Sequence, residues 1–185
     1  MKRFVIFGVV DEVLFEAVRV YQNALSRLTG DRKALCFPVH VTLRGPFWTD
    51  SGNLPSLIQR IKLHCESRFA FKVAVTGPVF VQPDLCWFEV ITGTDGFSVC
   101  RDLHTRMREI VRPLAAADDV PADHAGINYR PHMTVGWGVG AAIPDGIFAG
   151  PVSLVGMMRS IAVARYPDSW PIAGDVRVVE SIPLG

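Results

Sequence analysis

The sequence predicts an α+β fold in two halves, each an antiparallel sheet backed by helices, facing one another across a central cleft. Strand-period and helix-period segments alternate along the chain. The pattern His-x-Thr occurs twice, at His40-Val41-Thr42 and His132-Met133-Thr134, about half a chain apart. Each copy lies in an apolar, strand-forming stretch that follows a helical segment. With 185 residues and no linker, low-complexity tract or exact repeat, residues 1–185 are expected to form a single bilobal domain.

Phe4 to Val9 is short and continuously apolar, as a buried strand is. Asp11 can cap a helix whose stripe is Leu14, Val18, Tyr21, Leu25 and Leu28, with Gly30 as its stop. A strand over about Val39 to Arg44 carries the first motif and is broken by Gly45-Pro46. Asn53 or Ser51 can cap a second helix, with Pro55 in its first turn and Leu54, Ile58, Ile61 and Cys65 inward. Strands follow at about Phe69 to Thr76 and Leu85 to Thr92, with turn signals at Gly77-Pro78 and Gln82-Pro83-Asp84. The third helix spans about Phe97 to Leu114, with Val99, Leu103, Ile110 and Leu114 inward. Ala115 to Asn128 is expected to be a loop. The second motif strand runs from about Tyr129 to Trp137, and strands follow near Val152 to Gly156, Ser160 to Arg165 and Asp175 to Val179.

Hydrophobic residues make up 49% and charged residues 20%, with a formal net charge of +1. This excludes a disordered chain and gives no broad electrostatic case for gripping long nucleic acid. No stretch approaches the roughly 20 apolar residues of a membrane span. The basic, apolar start is interrupted by Asp11-Glu12 without a cleavage-site pattern, so a first strand is expected rather than an export signal. A cytoplasmic location is the matching expectation. Cys36, Cys65, Cys86 and Cys100 lack CxxC spacing and are expected to be reduced, buried, small apolar residues.

In a strand, alternate side chains share a face, so His40 with Thr42, and His132 with Thr134, present an imidazole and a hydroxyl together. Two such fronts suit in-line displacement at phosphorus. One imidazole takes a proton from the incoming oxygen, the other supplies one to the leaving oxygen, and the hydroxyls donate to the non-bridging oxygens. That design requires neither metal nor cofactor. Arg44 and Arg130 share the parity of their motifs and are candidates for phosphate binding, with a solvated strand-end charge as the plainer alternative. Phe47, Trp48, Trp137 and Tyr166 are candidates for stacking on a base, against the commoner fate of core packing. His64, His104 and His124 lack a repeated context, and His64 and His104 are expected at a helix surface or boundary.

The paired motifs, the first in the context His40-Val41-Thr42-Leu43-Arg44-Gly45-Pro46-Phe47, resemble the 2H phosphoesterase superfamily, which includes 2′-5′ RNA ligase-like proteins and cyclic nucleotide phosphodiesterases. The resemblance implies pseudo-two-fold symmetry of the two sheets, with His40, Thr42, His132 and Thr134 lining the central cleft. It also implies metal-independent opening of 2′,3′-cyclic phosphates to 2′-phosphates, on a nucleotide or an RNA end, in an RNA-processing setting. The division of labour proposed from this has His132 activating water and His40 protonating the 3′-oxygen, though the roles could be exchanged because sequence does not orient the substrate. Cleavage or ligation of a 2′-5′ linkage is the alternative within the same fold. Binding without turnover would indicate a nucleotide-binding module, and inactivation by chelation a metal-dependent hydrolase. No membrane or protein partner is expected.

Overall fold

The run Phe4-Val5-Ile6-Phe7 lacks the alternation of a half-exposed strand because both of its faces are covered. In the computed structural model, which describes residues 1–30, 32–81, 85–118, 128–137, 148, 150–167 and 176–185, strand β1 (Lys2–Val10) sends Phe4 and Ile6 into the main core. Val5 and Phe7 enter a smaller apolar cluster with Phe37, Ala162, Ala164 and Tyr166. Helix α1 (Glu12–Thr29) starts where the Asp11 carboxylate accepts from the Leu14 amide at 3.1 Å and stops at Gly30, whose φ of 73° a side chain would resist. Leu14, Val18 and Leu25 are buried as expected, but Leu28 is 52% exposed and the polar Gln22 is buried in the stripe.

Strand β2 (His40–Thr49) is longer than predicted. Gly45-Pro46 does not end it, because the pairing with β1 slips there instead. Helix α2 (Leu54–Cys65) carries Pro55 in its first turn, while Asp50 caps the short turn before it. Strands β3 (Phe71–Val81) and β4 (Leu85–Val90) lead to helix α3 (Asp95–Val111), capped by Thr94. The buried stripe of α3 is Cys100, Leu103, Met107 and Val111, rotated from the predicted one. Ala115–Asp118, expected to be loop, is strand β5. Alanine has little preference for strands, and it is pairing with the outer edge of β2 that holds β5 extended. The remainder of that predicted loop up to 127, including His124, lies outside the described residues. Strand β6 (His132–Trp137) carries the second motif. The two strands predicted near 152–156 and 160–165 are one strand, β7 (Val152–Arg165), and β8 (Arg177–Pro183) lies slightly later than predicted.

Among the described residues all pairings are antiparallel, in the order β5-β2-β1-β7-β3-β4-β6, with β8 on β7. The first part of β7 pairs with β3, and the second pairs with β1 and β8. The two expected sheets are therefore two wings of one sheet that share β7. Helices cross between wings: α1 follows β1 but packs on β6 and β7, while α3 follows β4 but packs on β2 and β3. Gly156 lets α1 sit directly on β7, since a Cβ there would fall 2.5 Å from the Leu14 Cβ. Among the described residues no helix is long and apolar enough to cross a membrane. The cysteines are free thiols, with Cys36 only partly covered, and burial pushes Cys65 up to about 11 and Cys86 and Cys100 up to about 12.

Candidate active site

The two motif strands share more than their histidines and threonines. On β2, Thr42 lies opposite Phe7 of β1; on β6, Thr134 lies opposite Trp87 of β4. In each case that aromatic packs diagonally on the motif histidine. The Phe7 and His40 rings lie 4.6 Å apart, and Trp87 stacks on His132 at 4.2 Å and 27°. Each motif then bulges at the same offset: Leu43 after Thr42 and Val135 after Thr134 have no cross-strand partner, and both are fully buried. A bulge bends the strand and re-aims the side chains around it.

The His40 Nδ1–H donates to the Pro38 carbonyl at 2.7 Å, and the His132 Nδ1–H to the Arg130 carbonyl at 2.8 Å. A carbonyl only accepts, so each ring carries a proton on Nδ1 and keeps Nε2 for chemistry. At His40 that Nε2 accepts from the Thr42 hydroxyl at 3.1 Å. Burial lowers the His40 pKa to about 4; the Pro38 bond opposes this, and the charge on His132 reinforces it. The charge on His132 is thus near enough to disfavour a proton on His40. At neutral pH His40 is neutral.

Side chains from elsewhere hold both motif strands. The buried His104 Nδ1 donates to the Leu43 carbonyl at 2.8 Å, the Tyr129 hydroxyl to the Thr42 carbonyl at 2.7 Å, and Gln22 Nε2 to the Thr134 carbonyl at 2.8 Å. His104 and Tyr129 stack in parallel at 3.8 Å. His104 is therefore an interior bracing residue rather than the surface or boundary residue predicted. The bulge leaves the Leu43 carbonyl outside the β1–β2 ladder, where His104 meets it. His64 is partly buried, and burial lowers its pKa.

The other predicted residues divide. Phe47 is fully buried in the main core and offers no face to a ligand, which corrects its reading as a stacking residue. Trp48 is half-buried near the Arg3 guanidinium, which also lies 4.5 Å over the Tyr166 ring. Tyr166 and Trp137 each pack at 5.7 Å on Phe37, whose ring lies 5.4 Å from His40. They thus form an aromatic wall with His40. Arg130 is exposed and pairs with Glu89 at 3.6 Å, and Glu89 accepts from Trp87 Nε1 at 3.3 Å. Arg44 does not follow the simple alternation, because the bulge at Leu43 intervenes; it lines a cavity of about 510 Å3 beside α3 and β5. Sequence reasoning missed Phe7, Phe37, Trp87, Gln22 and Tyr129. Gln22, a polar side chain adjoining the apolar stripe of α1, was the readable signal. Among the described residues no three His, Cys, Asp or Glu side chains form a metal-ligand group.

Both motif strands fall within residues 10–147, which match the family model of the 2′-5′ RNA ligase superfamily. The chain belongs to that superfamily. Such a chain is an enzyme of the 2H phosphoesterase type, as the paired motifs imply. Solved structures agree in fold. The protein TT0787 of Thermus thermophilus is 18% identical with a TM-score of 0.64, covering 98% of this chain and 97% of that one. A protein described as a phosphoesterase is 10% identical with a TM-score of 0.64, covering 100% and 99%. Escherichia coli LigT, crystallised with 3′-AMP, is 13% identical with a TM-score of 0.56, covering 99% and 98%. LigT has also been crystallised with ATP, giving 11% identity and a TM-score of 0.60 over 99% and 98% of the two chains. No curated protein sequence matches the chain.

Proposed function

We propose that this superfamily member opens 2′,3′-cyclic phosphates, on a nucleotide or an RNA end, to 2′-phosphates without a metal. The observation that carries the reading is the pair of imidazoles, each holding its Nδ1 proton on a backbone carbonyl, with the charge of His132 near enough to lower the His40 pKa. Water attacks phosphorus, the P–O3′ bond breaks, one histidine takes the water proton and the other gives a proton to O3′. Burial keeps His40 neutral, which suits it to be the base, with His132 as the acid; this exchanges the roles first assigned from sequence. Thr42 and Thr134 donate to the non-bridging oxygens, the Thr42 hydroxyl turning from His40 once substrate arrives. Trp137, partly exposed and packed on Phe37, serves in this reading as the stacking surface for a base, with the buried Tyr166 supporting Phe37, and the LigT complexes with nucleotides support a ligand of that size.

The test is incubation of metal-stripped protein with the four nucleoside 2′,3′-cyclic phosphates and a short RNA ending in that group, with products resolved as 2′- or 3′-phosphates. The expected outcome is 2′-phosphate alone, unaffected by exhaustive chelation and lost in His40→Ala and in His132→Ala. Near-normal turnover by either variant would refute the two-histidine scheme. The family description favours a second reading, cleavage or joining of a 2′-5′ linkage, which a 2′-5′-linked dinucleotide tests in the same assay.

A further inference from the structure

The cavity of about 510 Å3 at the outer edge of β2 is lined by Arg44, Thr105, Arg108, Glu109, Arg112 and the small residues Ala115 to Ala117. It shares no lining residue with the histidine pair. Arg108 and Arg112 lie one turn apart on α3, so both face it from one side of the helix, and Arg44 joins them from β2. Glu109 is the carboxylate in this lining, and its Oε2 already accepts from Arg106 at 2.7 Å. The helix dipole accounts for basic residues near the end of α3. It does not account for Arg44, a guanidinium 4% exposed, contributed by another element to the same cavity. The field is felt nearby: burial, against the Leu43 hydrogen bond and helped by the charges of Arg108, Arg44 and Arg101, lowers the His104 pKa to about 4.

We propose that this cavity binds a phosphate group other than the one that reacts, and that the group belongs to the RNA chain upstream of the reacting end. Guanidinium forks match phosphate oxygens, and three of them around an alanine-lined floor make an anion site rather than an apolar one. Arg44 lies opposite Ile6, on the face of β2 turned away from Thr42, and among the described residues β5 pairs only with Phe47 to Thr49 of that outer edge, so a nucleotide chain leaving the reacting phosphate would reach the cavity around the edge beside Arg44. This identification of the substrate rests on the phosphoesterase reading, while the anion site itself does not.

The test separates the two. Binding of a fluorescent RNA ending in a 2′-phosphate is measured by anisotropy at several salt concentrations. Binding of inorganic diphosphate is followed by NMR shifts of the Thr105–Arg112 amides. Both use the wild type, Arg108→Gln/Arg112→Gln, and His40→Ala/His132→Ala. In the arginine variant RNA affinity should fall about tenfold, and the slope of log K against log salt should shrink by about 1.4. The same variant should turn over nucleoside cyclic phosphates within about twofold of wild type. In the histidine variant the diphosphate shifts on α3 should persist, even though turnover is lost. Diphosphate shifts on α3 with unchanged RNA binding in the arginine variant would keep the site but refute the RNA chain as its ligand. Diphosphate binding that the histidine variant abolishes and the arginine variant retains would place the anion in the catalytic cleft and overturn the proposal. Should the double variant unfold, Arg112→Gln alone, at an exposed position, carries the comparison with a slope change of about 0.7.

Discussion

Two histidines of the same type are made unlike by their surroundings. His40 is packed against Phe7 and Phe37 and only 8% exposed, whereas His132 lies on a less covered strand under the Trp87 ring. Burial disfavours the charged imidazole, so His40 is neutral near pH 7. If His132 is the acid, it becomes dispensable when the leaving atom needs no proton. A substrate with sulfur in place of the bridging 3′-oxygen should restore His132→Ala by at least tenfold, within the usual 10²–10⁴ contribution of such a group, and leave His40→Ala inactive. Rescue of His40→Ala instead would return the roles to those first assigned from sequence. The threonines act on developing charge, so Thr134→Ala should raise the barrier by about 2.7–4 kcal/mol, read as kcat, if its hydroxyl behaves as an oxyanion donor.

At the scale of elements, each motif strand owes its position to the opposite wing. The chain places α1 and α3 across the sheet, and their buried polar side chains reach carbonyls beside the motif threonines. His104→Leu removes a donor and leaves the Leu43 carbonyl buried without it, a loss of about 1–3 kcal/mol in urea unfolding. The expected kinetic signature is a fall in kcat with KM nearly unchanged, because the bulge beside Thr42 loses its support while the binding wall remains. Unchanged kcat in a folded variant would make His104 purely structural. This arrangement was only partly legible. The helices and motif strands follow from periodicity, but the alternation that placed Arg44 beside Thr42 fails at Leu43, since a bulge is set by how two strands pair.

Across the whole molecule, stability should depend on these buried imidazoles. His40 and His104 have folded pKa values of about 4, against about 6.5 for an exposed histidine. The unfolded chain therefore binds more protons between these values, so stability is full above about pH 6.5 and is lost as pH falls through about 4. Urea midpoints measured from pH 7.5 to 4 should fall across that window, with a shallower fall in His104→Gln. A flat profile would mean that neither imidazole is buried in the neutral form. The same burial explains what sequence alone determined. The alternation of apolar residues and the repeated His-x-Thr pattern are local properties of the chain, and they established the α+β class, the motif strands and their four polar side chains. Local pattern carries no information on strand partners. The union of the wings through β7, the alanine strand β5, the crossing of α1 and α3, and the removal of Phe47 to the core all depend on which distant segments meet. Only tertiary packing decided that His40 would lose its proton more readily than a free histidine, because desolvation exists only once Phe7 and Phe37 close around it.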